Sequence, residues 1–113
     1  MNKETEAFAR HIIDSIGFIR SFLGNMSKEE LQKDRLKQSA IIRELEIIGE
    51  AVKNLPESVK KESKSIPWKQ IAGMRDKLIH HYFGVDLDAV WQVIEFDLDV
   101  LKEETKKILN KSK

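Results

Sequence analysis

The sequence predicts an all-α fold, an up-and-down bundle of four main helices with one or two short ones. Apolar residues recur every three or four positions through most of the 113 residues, and no segment shows the alternation typical of a strand. Only five glycines and two prolines interrupt the chain. With 41% hydrophobic and 35% charged residues, the composition is that of an ordered, charge-covered protein. We therefore expect a single domain over residues 1–113.

The first predicted helix runs from about Lys3 to Leu23. Gly24-Asn25 is a suitable end, because both residues tolerate a left-handed backbone. Ser27 followed by Glu30 matches a capping box, so a short second helix is expected there. The apolar residues of the first helix recur at helical spacing: Phe8, Ile12, Ile16, Ile19 and Leu23.

The next predicted helix is long and extends from Asp34 to Leu55. Its apolar residues alternate in steps of four and three, a pattern typical of a seam packed against another helix. Gly49 lies inside this helix, where glycine costs about 1 kcal/mol relative to alanine. We infer that a neighbouring helix approaches closely at this point. The seam comprises Ile41, Leu45, Ile48, Val52 and Leu55.

The second half of the chain begins with a break at Pro56 and a predicted short turn of helix, "PESVKKES". Pro67 suits the first position of a further helix, expected to run through "GMRDKLIHHYFGVD" and to end at Gly84. Asp86 is a plausible N-cap for the last helix, which is expected to end near Leu109.

The last helix carries two apolar stripes, which together are wider than one partner helix requires. Either this helix is central to the bundle, or part of it lies in a subunit interface. One stripe comprises Leu87, Trp91, Ile94, Leu98 and Leu101, and the other comprises Val90, Val93, Phe96 and Val100.

The segment from Gly73 to Asp86 concentrates more titratable chemistry than a core helix needs. Metal binding does not account for it: the adjacent His80 and His81 point about 100° apart on a helix and cannot share one metal ion. The sequence has no cysteine, no Glu-x-x-His pair at either histidine and no glycine-rich phosphate loop. We therefore expect neither a metal ion nor another cofactor.

Metal-free cleavage of RNA fits this segment better. In that reaction the 2′-hydroxyl attacks the adjacent phosphate, which requires a group that moves a proton near neutral pH and a fixed positive charge. Histidine supplies the first and arginine the second. Arg75 and His80 place both residue types in one predicted helix.

These residues also resemble a known family. "RDKLIH" is an Arg-x4-6-His motif, as in the HEPN superfamily of helical ribonucleases. The longer strings "GMRDKLIHHYFGVDLDAVW", "AIIRELEIIGEAVKNLPE" and "IPWKQIAGMR" resemble the HepT-like branch, in the same order, over about residues 5 to 110. The short motif would occur often by chance, whereas the extended Arg-x4-His-x-Tyr string with the "IIGEAVKNL" helix is specific.

The resemblance implies a role for four residues. Arg75 and His80 would be the catalytic pair, with Asp76 in the polar position after the arginine, where the superfamily often has asparagine. Tyr82 would be the tyrosine that a minimal nucleotidyltransferase (MNT) antitoxin adenylylates to silence the toxin. HepT proteins are the toxins of these type VII systems and act as homodimers, with both motifs facing a shared cleft.

Helix geometry bears on the dimer independently. Arg75 and His80 are five residues apart, which is about 140° around an ideal helix, so one straight helix does not direct both toward one phosphate. Either the long arginine side chain reaches around the helix, or helices from two chains face each other. Arg75 and Tyr82, seven apart, share a face, and Asp76 and His80, four apart, share a neighbouring one.

A second function class stays open: a catalytically silent helical module that binds an MNT-type partner or RNA. The aspartate at position 76 and the net charge of +1 keep this alternative in play. From spacing alone, a buried structural histidine explains His80 better than a catalytic one, and the family resemblance reverses that order. His81 is better explained as an exposed neighbour of the site, and the alternative for Tyr82 is an aromatic residue at an interface edge. The sequence does not identify the RNA that is cleaved.

Surface lysines have two explanations as well. They are either ordinary solvated residues or the margin of an RNA-binding surface. The residues concerned are Lys60, Lys61, Lys64, Lys69 and the tail "KKILNKSK". The polar start "MNKETEAFAR" lacks the apolar run of a signal peptide, and no apolar stretch approaches the roughly 18–20 residues that span a membrane. We therefore expect a cytoplasmic protein that does not enter a membrane.

Overall fold

A computed structural model of the chain describes residues 2–73 and 86–111. All the regular structure in those two ranges is helical, which confirms the predicted all-α class. The helices are α1 (Lys3–Leu23), α2 (Lys28–Gln32), α3 (Arg35–Lys53), α4 (Glu57–Lys60), α5 (Trp68–Ala72), α6 (Leu87–Gln92) and α7 (Leu98–Lys111), with a π-helical turn (Val93–Asp97) joining α6 to α7. The fourth main helix of the predicted bundle falls largely on residues outside the described ranges.

The core lies between α1, α3 and the long helical segment formed by α6, the π turn and α7. Helix α1 packs most extensively against α3 and also packs against α7. The predicted seams of α1 and α3 are buried in this core, apart from the half-buried Phe8. The largest side chains that are fully buried include Ile12, Ile16, Ile19, Leu31, Ile41, Leu45, Ile48, Leu98 and Leu101.

The helix ends follow the capping chemistry expected from the sequence. Helix α1 has the predicted bounds, and it ends at Gly24, whose φ of 54° lies in the left-handed region. Ser27 and Glu30 form both bonds of the capping box, at 3.1 and 2.9 Å. The Asp34 side chain accepts a hydrogen bond of 2.9 Å from the Lys37 amide, so α3 begins one residue later than the predicted start.

The close approach of another helix that was predicted at Gly49 is present in the structure. A Cβ at this position would lie 3.2 Å from the carbonyl oxygen of Ile71 and 3.5 Å from that of Ala72. Both oxygens belong to the last turn of α5, which therefore sits directly on the α3 backbone. Only glycine leaves room for this contact without a shift of one helix.

Two expectations about α5 need correction. Pro67 is the N-cap of α5 and not its first helical residue. The helix then ends at Ala72 instead of continuing toward Gly84, because Gly73 has φ −88° and ψ 9° and leaves the helical path. The rest of the predicted helix lies in residues 74–85, outside the described ranges.

The last helical segment divides its second apolar stripe between core and surface. Val90 and Val93 are buried, whereas 67% of Phe96 and 46% of Val100 is exposed. The π turn lies where the stripe leaves the core, and its wider turn changes the direction in which later side chains point. Phe96 and Val100 are thus available for contact with another molecule. Asp86 caps this segment as predicted, because its side chain accepts a hydrogen bond of 3.1 Å from the Ala89 amide. At the other end, α7 extends two residues beyond the expected end.

Long-range polar contacts tie the outer helices together. Arg20 of α1 donates to Asp99 of α7 at 2.7 Å, and the Ser63 hydroxyl donates to Glu104 of α7 at 3.0 Å. In the two described ranges, no helix is long and apolar enough to cross a membrane.

Candidate functional site

The predicted site residues occupy one short segment between α5 and α6. Arg75, Asp76, His80 and Tyr82, together with His81, lie in residues 74–85, outside the described ranges. Their predicted roles therefore stay predictions. The described residues on either side of this segment belong to α5 and α6.

The residues just before this segment are held by the packing of α5. Trp68 and Ile71 are buried, so one face of this short helix belongs to the core. At its end, the Ile71 and Ala72 carbonyls lie against Gly49 of α3. Arg75 follows Ala72 by three residues in the sequence.

The residues just after this segment have a helix cap and an ion pair. The Asp86 side chain caps α6, and Val90, one turn further on, is 1% exposed. Asp88 pairs with Lys28 of α2. The hydrogen bond that the Lys28 ammonium donates to the Asp88 carboxylate raises the pKa of Lys28 above its ordinary value, against a smaller opposing effect of desolvation. This contact holds the start of α6 against α2.

A basic groove lies beside α5. It has a volume of about 510 Å³ and lies between the end of α3, the α4 region and α5. Its lining comprises the lysines Lys53, Lys60, Lys61, Lys64 and Lys69, the acidic Glu57 and the apolar Ile66, Trp68 and Ala72. Within the described part of the chain, five cationic side chains and one carboxylate give this groove a strong positive charge, although the whole chain carries only +1.

Trp68 organises one wall of this groove. Its indole N–H lies 3.0 Å from the Lys60 carbonyl oxygen and 3.0 Å from the Ser63 carbonyl oxygen, and donates to both. The turn after α4 is thereby fastened to α5. Trp68 itself is buried, so its ring is also part of the core.

Most of the groove's lysines are free to meet a ligand. The Lys60 Nζ forms an ion pair with the Glu57 carboxylate at 3.7 Å, and the Lys60 side chain is 13% exposed. The side chains of Lys53, Lys61, Lys64 and Lys69 are exposed, and within residues 2–73 and 86–111 no carboxylate lies within ion-pair distance of them. Four uncompensated positive charges around one concave surface form an anion-binding feature.

The sequence had singled out only part of this groove. It marked Lys60, Lys61, Lys64 and Lys69 as a potential RNA margin, but it missed Lys53. That lysine belongs to α3, and no local pattern shows that the end of α3 faces the turn after α4. The apolar run at Ile66 and Trp68 beside a lysine cluster was the available signal.

A smaller cavity of about 290 Å³ lies between α1 and α3. Its lining mixes charges of both signs: Arg43 with Glu46 and Glu50, beside Phe8, His11 and Ile47. The ring of His11 meets that of Phe8 edge-on, with centroids 6.4 Å apart. With two carboxylates and one arginine, this cavity is poorly suited to a polyanion.

Metal ligands are not gathered anywhere in the described part of the chain. Within residues 2–73 and 86–111, no three histidine, aspartate or glutamate side chains are close enough to hold a metal ion together.

Comparison with known proteins places this arrangement in context. The profile of the HepT-like family, described as "Ribonuclease HepT-like", matches residues 12–108. A protein of Caldanaerobacter subterraneus subsp. tengcongensis named "Putative RNase" is 42% identical over 111 residues, which cover 98% of this chain and 99% of that protein. A "Probable ribonuclease HepT" of Thermococcus cleftensis is 40% identical over 108 residues, covering 96% of this chain and 98% of the relative.

One relative is a longer protein. The Methanocaldococcus jannaschii protein named "Gamma-glutamylcyclotransferase and putative RNase" is 42% identical over 109 residues. The match covers 96% of this chain but spans only about half, 49%, of that relative. No solved structure is significantly similar to the chain.

Proposed function

The chain belongs to the HepT-like family, and from that premise we propose that it is a metal-independent endoribonuclease, the toxin of a type VII HEPN/MNT toxin–antitoxin pair. The observation that carries this proposal is the match of the family profile to residues 12–108, together with relatives named as ribonucleases at about 40% identity over nearly the whole chain.

The proposed chemistry is attack of the 2′-hydroxyl on the neighbouring phosphorus. The 2′-oxygen bonds to phosphorus, the bond from phosphorus to the 5′-oxygen breaks, and the proton lost by the 2′-hydroxyl ends on the departing 5′-oxygen. The products are a 2′,3′-cyclic phosphate and a 5′-hydroxyl. His80 is the group that moves the proton, and Arg75 stabilises the negative charge that develops on the phosphate oxygens.

Asp76 has a supporting role in this proposal. An aspartate next to Arg75 is placed by helical spacing on the same side as His80, four residues on. It holds one of the two catalytic side chains in place, at some cost in affinity for the phosphate. A catalytically silent binding module is the competing function, and the aspartate at this position is the observation that favours it.

The active form is proposed to be a homodimer whose two Arg-x4-His motifs share one cleft. The exposed Phe96 and Val100 support this, because large apolar side chains on a helix surface are typical of association sites. An MNT-type nucleotidyltransferase is the proposed partner, and it silences the ribonuclease by adenylylating Tyr82.

The proposal is tested by incubating the purified protein with total RNA in the presence of EDTA. We expect cleavage to persist in EDTA, to leave cyclic phosphate ends and to be lost in His80→Ala. His81→Ala is the matched control, since it removes the same side chain one position away. Cleavage abolished by EDTA, or an unimpaired His80→Ala variant, would contradict the mechanism. Binding of RNA without cleavage would identify the silent module.

A further inference from the structure

We propose that the basic groove of α3, the α4 region and α5 binds the backbone of a single RNA strand. The strand then reaches residues 74–85, which hold the proposed catalytic pair and are called the catalytic segment below. This inference rests on the proposed function and extends it, because it assigns the binding of the uncleaved part of the substrate to residues outside the Arg-x4-His motif.

The charge of the groove is the first argument. Lys53, Lys61, Lys64 and Lys69 surround it with exposed ammonium groups, and among the residues that the structure describes only Lys60 of these five is paired, with Glu57 at 3.7 Å. A lysine ammonium is a flexible point charge that contacts phosphate without regard to base sequence. A row of such charges binds a phosphate backbone mainly by releasing its counterions.

The rigidity of the groove is the second argument. The Trp68 indole holds the Lys60 and Ser63 carbonyls, both at 3.0 Å, and Ser63 in turn donates to Glu104 of α7. The turn that carries Lys61 and Lys64 is thus fastened to two helices. Lysines on a fixed backbone lose less conformational freedom on binding than lysines on a loose one, so the arrangement favours a ligand with regularly spaced charges.

Continuity with the catalytic segment is the third argument. Lys69 and Ala72 line the groove, and Arg75 is three residues beyond Ala72. Three residues of chain span at most about 11 Å. A strand bound in the groove therefore passes within reach of Arg75, and the groove is an approach to the proposed active site.

The single-stranded form of the RNA follows from the chemistry. Attack by the 2′-oxygen requires that oxygen, the phosphorus and the departing 5′-oxygen to come into line, and a base-paired A-form helix holds them away from that geometry. An unpaired strand adopts it freely. Proteins also commonly recognise RNA in its unpaired segments, where the bases are accessible.

The test measures binding separately from cleavage. The probe is a 2′-O-methylated RNA strand, which cannot undergo 2′-hydroxyl attack, and the measurement is fluorescence anisotropy over a range of NaCl concentrations. The groove variant is Lys61→Gln/Lys64→Gln/Lys69→Gln. The control is Lys3→Gln/Lys33→Gln/Lys106→Gln, which removes the same net charge from exposed lysines elsewhere.

Each phosphate contact with a single strand contributes about 0.7 to the slope of log affinity against log salt. The groove variant is therefore expected to lose about 2 from this slope and roughly 100-fold in affinity at 0.1 M salt. The control should stay within a few-fold of wild type. The corresponding triple arginine variant keeps the charge and should restore binding, which excludes a folding defect as the cause.

The outcomes separate this inference from the proposed function. If wild type cleaves RNA but the groove variant binds and cleaves like the control, the groove assignment is wrong and the ribonuclease stands. If wild type binds the strand through the groove but cleaves no RNA, the groove stands and the ribonuclease fails. If wild type binds polyglutamate through these lysines and not RNA, the groove is a site for an acidic protein and the inference is overturned.

Discussion

Gly49 of α3 and Ile71 of α5 are in such close contact that a Cβ on Gly49 would lie 3.2 Å from the Ile71 carbonyl oxygen. Gly17, in the middle of α1, is the opposite case, because a Cβ there would meet nothing within 4 Å. The two glycines therefore differ in surroundings while sharing a helical backbone. Alanine variants at the two positions therefore measure how much the close contact changes the free energy of unfolding.

Gly17→Ala is expected to stabilise the protein by about 1 kcal/mol, since alanine has the higher helix propensity and nothing opposes it. Gly49→Ala has the same gain in helix propensity, but it forces the last turn of α5 away from α3. Overpacking of this kind costs about 1–3 kcal/mol. Urea unfolding should therefore show Gly49→Ala to be less stable than Gly17→Ala by that amount. Equal stability of the two variants would show that α5 adjusts without cost.

The same pair of variants also probes activity. Because Arg75 follows α5 by three residues, a displaced α5 moves the start of the catalytic segment. We expect Gly49→Ala to reduce RNA cleavage at a temperature where the variant is fully folded, and Gly17→Ala to leave it unchanged. Undiminished cleavage by Gly49→Ala would mean that the position of α5 does not control the site.

The homodimer is tested at the exposed part of the last helical segment. Light scattering of wild type at micromolar concentration should give twice the monomer mass of 13.1 kDa. Phe96→Glu places a charge on the proposed interface and should yield monomers. Leu36→Glu is the control, because Leu36 is 78% exposed, even more than Phe96, but lies at the start of α3. A monomeric wild type, or equal dissociation by both variants, would contradict the dimer.

Control by the partner enzyme is tested at Tyr82, the only tyrosine of the chain. Incubation with an MNT nucleotidyltransferase and ATP should add the mass of one AMP in intact-protein mass spectrometry and abolish cleavage. The added phosphate repels the RNA backbone and competes for Arg75. Tyr82→Phe should gain no mass and keep cutting RNA in the presence of the partner. Addition of AMP to the Phe variant would place the modification elsewhere.

Local sequence signals were sufficient for most of the fold. The bounds of α1, the capping box of Ser27 and Glu30 and the Asp86 cap all follow from residue types whose effect is felt within one helical turn. The close approach at Gly49 is a tertiary contact, but the glycine inside a helical pattern indicated it. The burial of the apolar seams of α1 and α3 follows from the helical spacing of their apolar residues alone. In these places, propensity, capping and packing favour the same structure.

Features set by tertiary packing were not predictable in this way. The end of α5 at Ala72 was missed because the apolar spacing continues past Gly73, and a glycine inside a helical pattern does not by itself indicate an end. The π turn was missed because a uniform 100° step assigns Phe96 and Val93 to one stripe, although only Val93 is buried. The set of lysines predicted for the basic groove was incomplete, because Lys53 comes from a different helix. The motif residues were predicted from a resemblance, and residues 74–85 lie outside the described ranges.

The hydrogen bonds of Trp68 also give the protein an optical reporter. Indole emission depends on the polarity around the ring, and Trp68 is a buried residue that lines the basic groove. The only other tryptophan is Trp91, half-buried on α6, so Trp91→Phe leaves a single emitter beside the lysines. In that background, a strand entering the groove alters the wavelength or intensity of the fluorescence without any attached label. Occupancy of the groove can then be followed in real time, on the same sample in which the RNA is being cut.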